Sequence, residues 1–303
     1  MKLSPRLIVL MTVPPLLWAG NAVVGRLAVG HVPPQALNTM RWSLAGLLLL
    51  PLGWRMLASA ASRAHIRQRW RYLMLLAMTG VASYNALQYL ALTTTTATNA
   101  TLIAASMPVW MLLIGMLHYG VRARALQWVG CLLSLLGVLI VVARGDMRTL
   151  TQLQLVSGDL LMLLAVFVWS VYGWMLARPP ESMQGQRRPG WNWAEFLLLQ
   201  VLFGIGWTWL TAGVEQAIAP QAIDWSPSVV LLVIFVAVGP SIIAYRAWGI
   251  GVAEAGPTLA AFFANLTPLF AAALSAALLG EPPHLYHGIA FVLVLAGIAV
   301  SSR

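Results

Sequence analysis

Charged side chains are scarce in this 303-residue sequence: 18 Lys+Arg and 8 Asp+Glu amount to 9% of the chain, against 60% hydrophobic residues. An ordinary globular domain is about one-quarter charged. So little charge cannot cover a water-facing surface, and with a mean hydropathy of +0.81 the outer solvent must be lipid. Cysteine is nearly absent as well. The single Cys131, in the apolar run "VGCLLSLLG", excludes an intrachain disulfide and reads as a small packing residue. Missing too are a Gly-rich phosphate loop, a His-Glu-x-x-His pair, a Cys pair and an Asp-rich diphosphate site. An enzyme reading therefore has little to stand on, and no cofactor is implied. The nearest metal candidate is Glu281, His284 and His287 in "GEPPHLYHG". These are legitimate zinc-ligand types, but Pro282 and Pro283 place them at a turn entering the last helix. An interfacial loop, not a metal site, is expected there.

What is present is a series of apolar runs separated by short breaks. A transmembrane helix needs about 20 apolar residues, and runs such as "SLAGLLLLPLGW" lack the alternation of a barrel strand. The predicted spans are 7–29, 35–53, 72–92, 97–117, 125–143, 158–177, 194–213, 228–247, 257–279 and 285–301. Lys2 and Arg6 before the first run resemble a signal peptide, but its length and its Trp and Asn content favour an uncleaved first helix. The net charge of +10 and the pI near 10.8 would suit nucleic acid, yet the basic residues cluster in alternate loops. Arg55, Arg63, Arg67, Arg69, Arg71, Arg122, Arg124, Arg187 and Arg188 fall on one side; Asp146, Glu215 and Asp224 fall on the other. This is the positive-inside bias of a multi-pass membrane protein with both termini cytoplasmic, and no nucleic-acid partner is expected.

The second half repeats the first. One constant offset pairs Pro108 with Pro268, Thr98 with Thr258, Ala104 with Ala264, Gly120 with Gly280 and Gly137 with Gly297, without a gap. Five spans per repeat is an odd number, so the halves have opposite orientation. The expected fold is an all-α integral membrane protein of ten transmembrane helices, arranged as two inverted five-helix repeats, 1–150 and 151–303. Inverted repeats are a secondary-transporter architecture, with the solute site near the midplane between them. The stretch "RPPESMQGQRRPGWNW" (178–193) reads as a flexible cytoplasmic linker between spans six and seven.

Intramembrane ionisable groups are functional candidates by default. Asp159 and Glu195 fall at predicted span ends and Glu254 near a turn, so no proton-coupling carboxylate stands mid-membrane. Arg26 and Arg41 remain. Arg41 either snorkels to the headgroups, or faces the bundle to meet a carboxylate such as that of Asp159 or a solute. Uncharged polar and aromatic residues within the spans supply the candidate cavity: Trp18, Asn21, Tyr84, Asn85, Gln88, Tyr89, Asn99 and Trp110 in the first half, and Trp169, Tyr172, Tyr245, Phe263 and Asn265 in the second. Such residues also bond helices together or mark interfaces. Helical spacing strengthens the case for Tyr84, Asn85, Gln88 and Tyr89, and for Trp18 with Asn21. In "TTTTATNAT" (93–101), the first threonines form an outside turn and Asn99 opens span four. Pro108 and Pro268 each kink a span and are candidate hinges. Gly130, Ser134 and Gly137 make a small-residue face suited to close packing, within the fold or in a homodimer.

These residues resemble a known family. "LLWAGNAVVGRLAVGHVPP" with "LNTMRWSLAGLLLLPL" resembles the opening helix pair of EamA-type members of the drug/metabolite transporter superfamily. "ATNATLIAASMPVWMLLIGML" and "GPTLAAFFANLTPLFAAALSAALLGE" resemble the fourth-helix signature of their two repeats. The resemblance implies ten helices, a central cavity formed mainly by helices one, three, four, six, eight and nine, and export of amino acids, other small metabolites or amphipathic drugs. One departure is "YGVRAR", where the family commonly has Gly-Glu. The expectation is an inner-membrane exporter of a small-molecule solute working by alternating access, its partners being that solute and the bilayer. A flippase for a lipid or lipid-linked solute and an integral-membrane transferase are the rival readings.

Overall fold

The computed structural model describes residues 4–28, 30–95, 97–143, 145–146, 148, 151, 156–279 and 284–302, leaving aside the side chains at 22, 26, 97–99, 101 and 275–279. No strand occurs among them. Six helical stretches are long and apolar enough to cross a bilayer: Pro5–Gly25, Ala125–Val142, Ser157–Ala177, Trp193–Ile218, Pro227–Ala255 and Pro257–Leu274. The remaining predicted spans correspond to bent, interrupted or shorter helices. In α2 (Pro34–Ala58) the chain stays apolar and then turns through 97° into α3 (Ala60–Gln68). There Ser59 caps Ser62 N, and Arg63 Nη1 donates to the last carbonyls of α2, Leu57 O and Ala58 O.

Span three is not one regular helix. It runs as α4 (Trp70–Ala77), a π-helical turn (Met78–Ser83) and α5 (Tyr84–Ala91). The predicted span at 228–247 is longer than expected and has the same form: α11 (Pro227–Val236), a π-helical turn (Ala237–Ile243) and α12 (Ala244–Ala255). A π turn shifts the hydrogen-bond register and frees carbonyls, which in lipid must be answered from within the protein. Tyr245 Oη donates to Gly80 O at 2.6 Å, and Ser241 Oγ donates to Val236 O at 2.7 Å. Gly80 also lets an aromatic ring lie against its backbone, since a Cβ there would sit 2.5 Å from the Tyr172 ring.

The two proline sites are breaks rather than kinks. α6 (Ala97–Ala104) stops at Ala105–Ser106 and α7 (Met107–Leu117) starts afresh; α13 (Pro257–Ala264) stops at Asn265–Leu266 before α14 (Thr267–Leu279). Pro108 and Pro268 are each the second residue of the new helix, where the missing N–H is not needed. The breaks and the two π turns are related by the offset that pairs Pro108 with Pro268.

α8 (Ala125–Val142) and α15 (Leu285–Ser301) form the tightest helix pair. A Cβ on Gly130 would lie 2.6 Å from Gly297 O, and one on Gly137 would lie 2.9 Å from Ala290 O. The small-residue face of span five is thus used inside the chain. Elsewhere α2 packs on α10 (Trp193–Ile218), α5 on α9 (Ser157–Ala177), and α1 (Pro5–Ala28) on α12 and α14. Large apolar side chains such as Leu117, Leu160, Leu231 and Val292 face outward, as a lipid solvent permits. The 178–193 segment differs from the flexible linker expected. It forms short 3-10 turns at Glu181–Met183 and Gly185–Arg187, buries Met183 and Trp191, and is held by Arg69, whose Nε and Nη2 donate to Ser182 O and Arg187 O, each at 2.9 Å.

Candidate functional site

Trp169, midway along the uninterrupted α9, is the hub of an aromatic cluster. Its ring centroid lies 5.3 Å from Trp18, 5.1 Å from Tyr84, 4.9 Å from Tyr172, 5.3 Å from Tyr245 and 5.4 Å from Trp248. Trp42 joins edge-on to Tyr245 at 5.0 Å. Edge-to-face and tilted pairs at this range are the favourable aromatic arrangements. A cavity lined by Trp18, Tyr84, Asn85, Met107, Trp169 and Tyr245 lies among them, with about 10 Å³ of free volume, room for roughly one water. A solute larger than water requires these rings to part.

The polar wall is organised by Arg41, which is 1% exposed and does not snorkel. Its Nε donates to Ser241 Oγ at 2.7 Å, and its Nη1 donates to Asn85 Oδ1 at 2.8 Å, Tyr89 Oη at 3.1 Å and Asn21 Oδ1 at 3.5 Å. Tyr89 Oη in turn donates to Asn21 Oδ1 at 3.1 Å. Its guanidinium also lies 5.3 Å from the Trp42 ring centroid. An arginine placed within a membrane helix costs about 3 kcal/mol on insertion scales, and this ring of neutral acceptors replaces its water. The anticipated pairing with Asp159 is not formed. Asp159 instead receives the Thr95 hydroxyl and the Val156 backbone N–H, closing the start of α9 against the turn after α5.

Of the sequence-selected residues, Trp18, Tyr84, Asn85, Trp169 and Tyr245 line the cavity; Asn21 and Tyr89 bond behind Asn85; and Tyr172 donates to Gln200 Oε1 at 2.9 Å. Gln88 is half-buried one turn from Tyr84, and Phe263 is buried on α13. Trp110 packs edge-on against Phe167 at 5.4 Å, outside the cluster. Asn265 sits at the α13–α14 break, where its Nδ2 donates to Ser134 Oγ on α8 at 2.8 Å. The Asn99 side chain, Arg26's side chain and Glu281 lie outside the described residues. His287 Nδ1 accepts from His284 N at 3.0 Å, a helix cap. In the opening polar stretch, Thr93 and Thr94 donate to Leu90 O and Ala91 O, satisfying the loose end of α5. Sequence reasoning passed over Trp42 and Ser241. Their signals were available: a Trp remote from either end of a span, and Gly239-Pro240 interrupting another beside a serine.

A multi-helix bundle with a lipid-facing surface, paired helix breaks and an enclosed aromatic and polar centre is the anatomy of a membrane carrier. The family model described as "EamA-like transporter family" matches twice, over residues 6–143 and 156–303, and the chain belongs to that family of membrane transporters. An uncharacterized transporter of Archaeoglobus fulgidus is 26% identical over 288 residues, 95% of this chain and 94% of that protein. The uncharacterized inner membrane transporter YedA of Escherichia coli K12 is 27% identical over 275 residues, covering 88% and 80%. A solved crystal structure matches with a TM-score of 0.74 over 97% of this chain and 96% of the other, at 21% identity, which is a likeness of fold.

Proposed function

We propose that the protein is an inner-membrane exporter of small metabolites, amino acids and amphipathic compounds among them, working by alternating access of two inverted five-helix repeats of 1–150 and 151–303 with both termini cytoplasmic. The observation that carries this reading is the small cavity at Trp169, lined by aromatic rings and Asn85, and flanked by π turns and helix breaks at matching positions of the two halves. Mostly apolar walls with a few convergent polar groups are the usual design of a small-molecule site. The double family match and the common offset support ten spans, in which α6–α7 and α13–α14 are each one broken span. Broken helices beside a central site let one bundle rock against the other without exposing backbone to lipid. Trp18, Tyr84, Trp169 and Tyr245 supply the walls, and Asn85 orients the solute. The Ala105–Ser106 and Asn265–Leu266 breaks, with Pro108 and Pro268 behind them, are the hinges.

The test compares intracellular and medium metabolites in a deletion strain, the parent and an overexpressing strain. One compound or class accumulating inside the deletion strain and outside the overexpressing strain is the expected result. Unchanged profiles in all three would contradict export, and activity that needs a lipid carrier would assign a flippase instead.

A further inference from the structure

No acidic side chain among the described residues is paired with Arg41. All acceptors of its guanidinium (Ser241, Asn85, Tyr89 and Asn21) are neutral. The ion pairs among the described residues lie elsewhere: Arg6–Glu254, His31–Asp224 and Arg187–Glu181. A buried cation without a counter-charge attracts an anion strongly, because the surrounding dielectric is low. Donors are also in surplus. The indole N–H groups of Trp42, Trp169 and Trp248 are buried without a hydrogen-bond partner. Trp169 lines the cavity, Trp248 touches both Trp169 and Trp18, and Trp42 abuts Tyr245. A buried donor left unmade is costly, and an incoming acceptor relieves it. The unpartnered acceptors, Gln35 Oε1, Asn38 Oδ1 and Ser43 Oγ, are on α2, and none of them lines the cavity.

From this we infer that the solute is a net anion: one carboxylate or equivalent acid group on an aromatic or branched apolar body. The acid group meets Asn85, whose Oδ1 is engaged by Arg41 and whose amide N–H₂ turns from the Tyr245 hydroxyl to the acid, and it meets the indole N–H groups as the rings part. The apolar body fills the space between Trp18, Tyr84 and Tyr245. No acidic side chain lines the cavity, so an ammonium group would face Arg41's like charge without compensation. The site therefore selects organic acids over zwitterionic amino acids and over amines. This narrows the export reading to organic acids, dropping the amino acids it included, and rests on it only in calling the anion cargo.

The test uses a series of one body and different charge: labelled 3-phenylpropionate, with phenylalanine, 3-phenylpropanamide and 3-phenylpropylamine as competitors, on the purified full-length protein in nanodiscs. The expected order is acid first by about tenfold or more over the amide and the zwitterion, with the amine last. Chloride and phosphate at the same concentration are expected not to displace the acid. Asn85→Asp supplies a counter-charge 2.8 Å from Arg41 without removing the arginine, and is expected to erase the acid's advantage over the amide. Arg41→Lys should retain the preference and Arg41→Gln should lose it. Equal binding of phenylalanine or the amine, displacement by inorganic anions, or an Asn85→Asp protein that still prefers the acid would overturn the inference. Flux in proteoliposomes separates the two readings: transport of phenylalanine ahead of the acid keeps export and removes the anion, whereas selective binding of the acid without flux does the reverse.

Discussion

Where α8 meets α15, glycine faces backbone: Gly130 lies against Gly297 O, Gly137 against Ala290 O, and both helices run without interruption. Around Trp169, large rings meet at 5 Å or so, three indole donors go unanswered, and the neighbouring α5, α7 and α12 each adjoin a break or a π turn. Both regions are buried in the same molecule, and both use side chains that look alike in a hydropathy profile. The difference lies in what a small displacement does. Sliding α8 past α15 drives backbone into backbone, so that pair has one arrangement. Parting the rings around Trp169 exposes groups that a solute can satisfy, and the π turns and breaks supply places for the backbone to adjust. In the proposed transport cycle, one region is the anchor and the other the moving centre.

The strongest way to break this contrast is at the anchor. Gly130→Leu places a side chain where only 2.6 Å separates Cβ from Gly297 O, and should cost about 3 kcal/mol, seen as loss of folded protein in thermal unfolding of the solubilised membrane fraction. Wild-type stability would show that α8 and α15 are free to separate. A sharper comparison sets two asparagines side by side. Asn265→Leu removes one neutral interhelical bond, worth about 1 kcal/mol, whereas Asn85→Leu removes an acceptor of the buried Arg41 guanidinium, worth about 2 kcal/mol, so both should lower the unfolding temperature and Asn85→Leu the more. Only Asn85→Leu should abolish export, because Asn265 ties the α13–α14 break to Ser134 whereas Asn85 belongs to the cavity wall. The smallest effect is expected at the prolines. Pro108→Ala and Pro268→Ala fall in the first turn of a new helix, so stability should change by less than about 1 kcal/mol; a large loss of folded protein in either variant would mean that proline, not the preceding break, holds the bend.

Much of the architecture was legible in the residues. Scarce charge, apolar runs and the loop distribution of arginine sufficed for a helical membrane protein, and the family signatures around Trp18 and in the stretches ending at Leu117 and Glu281 sufficed for the family. Within the site, helical spacing brought out the Tyr84–Asn85–Tyr89 face and the Trp18–Asn21 face, because those depend on one helix alone. What one helix cannot disclose is its neighbour. Arg41 reads equally as a snorkelling or an inward cation until Ser241, two hundred residues on, is seen to accept from it. Asn265 and Asn85 look equivalent, yet one finds Ser134 and the other finds Arg41. The 178–193 segment has the composition of a flexible linker, and it is Arg69, from the turn between α3 and α4, that holds it as a packed element. The first π turn escaped notice for the same reason: its freed Gly80 carbonyl is answered by Tyr245, from another span.

The most direct test of the moving centre is export by the deletion strain complemented with wild-type protein, Asn265→Leu or Asn85→Leu, at matched membrane abundance. Wild type and Asn265→Leu are predicted to restore the medium metabolite profile and Asn85→Leu to leave it as in the deletion strain; full restoration by Asn85→Leu would contradict a solute path at Trp169.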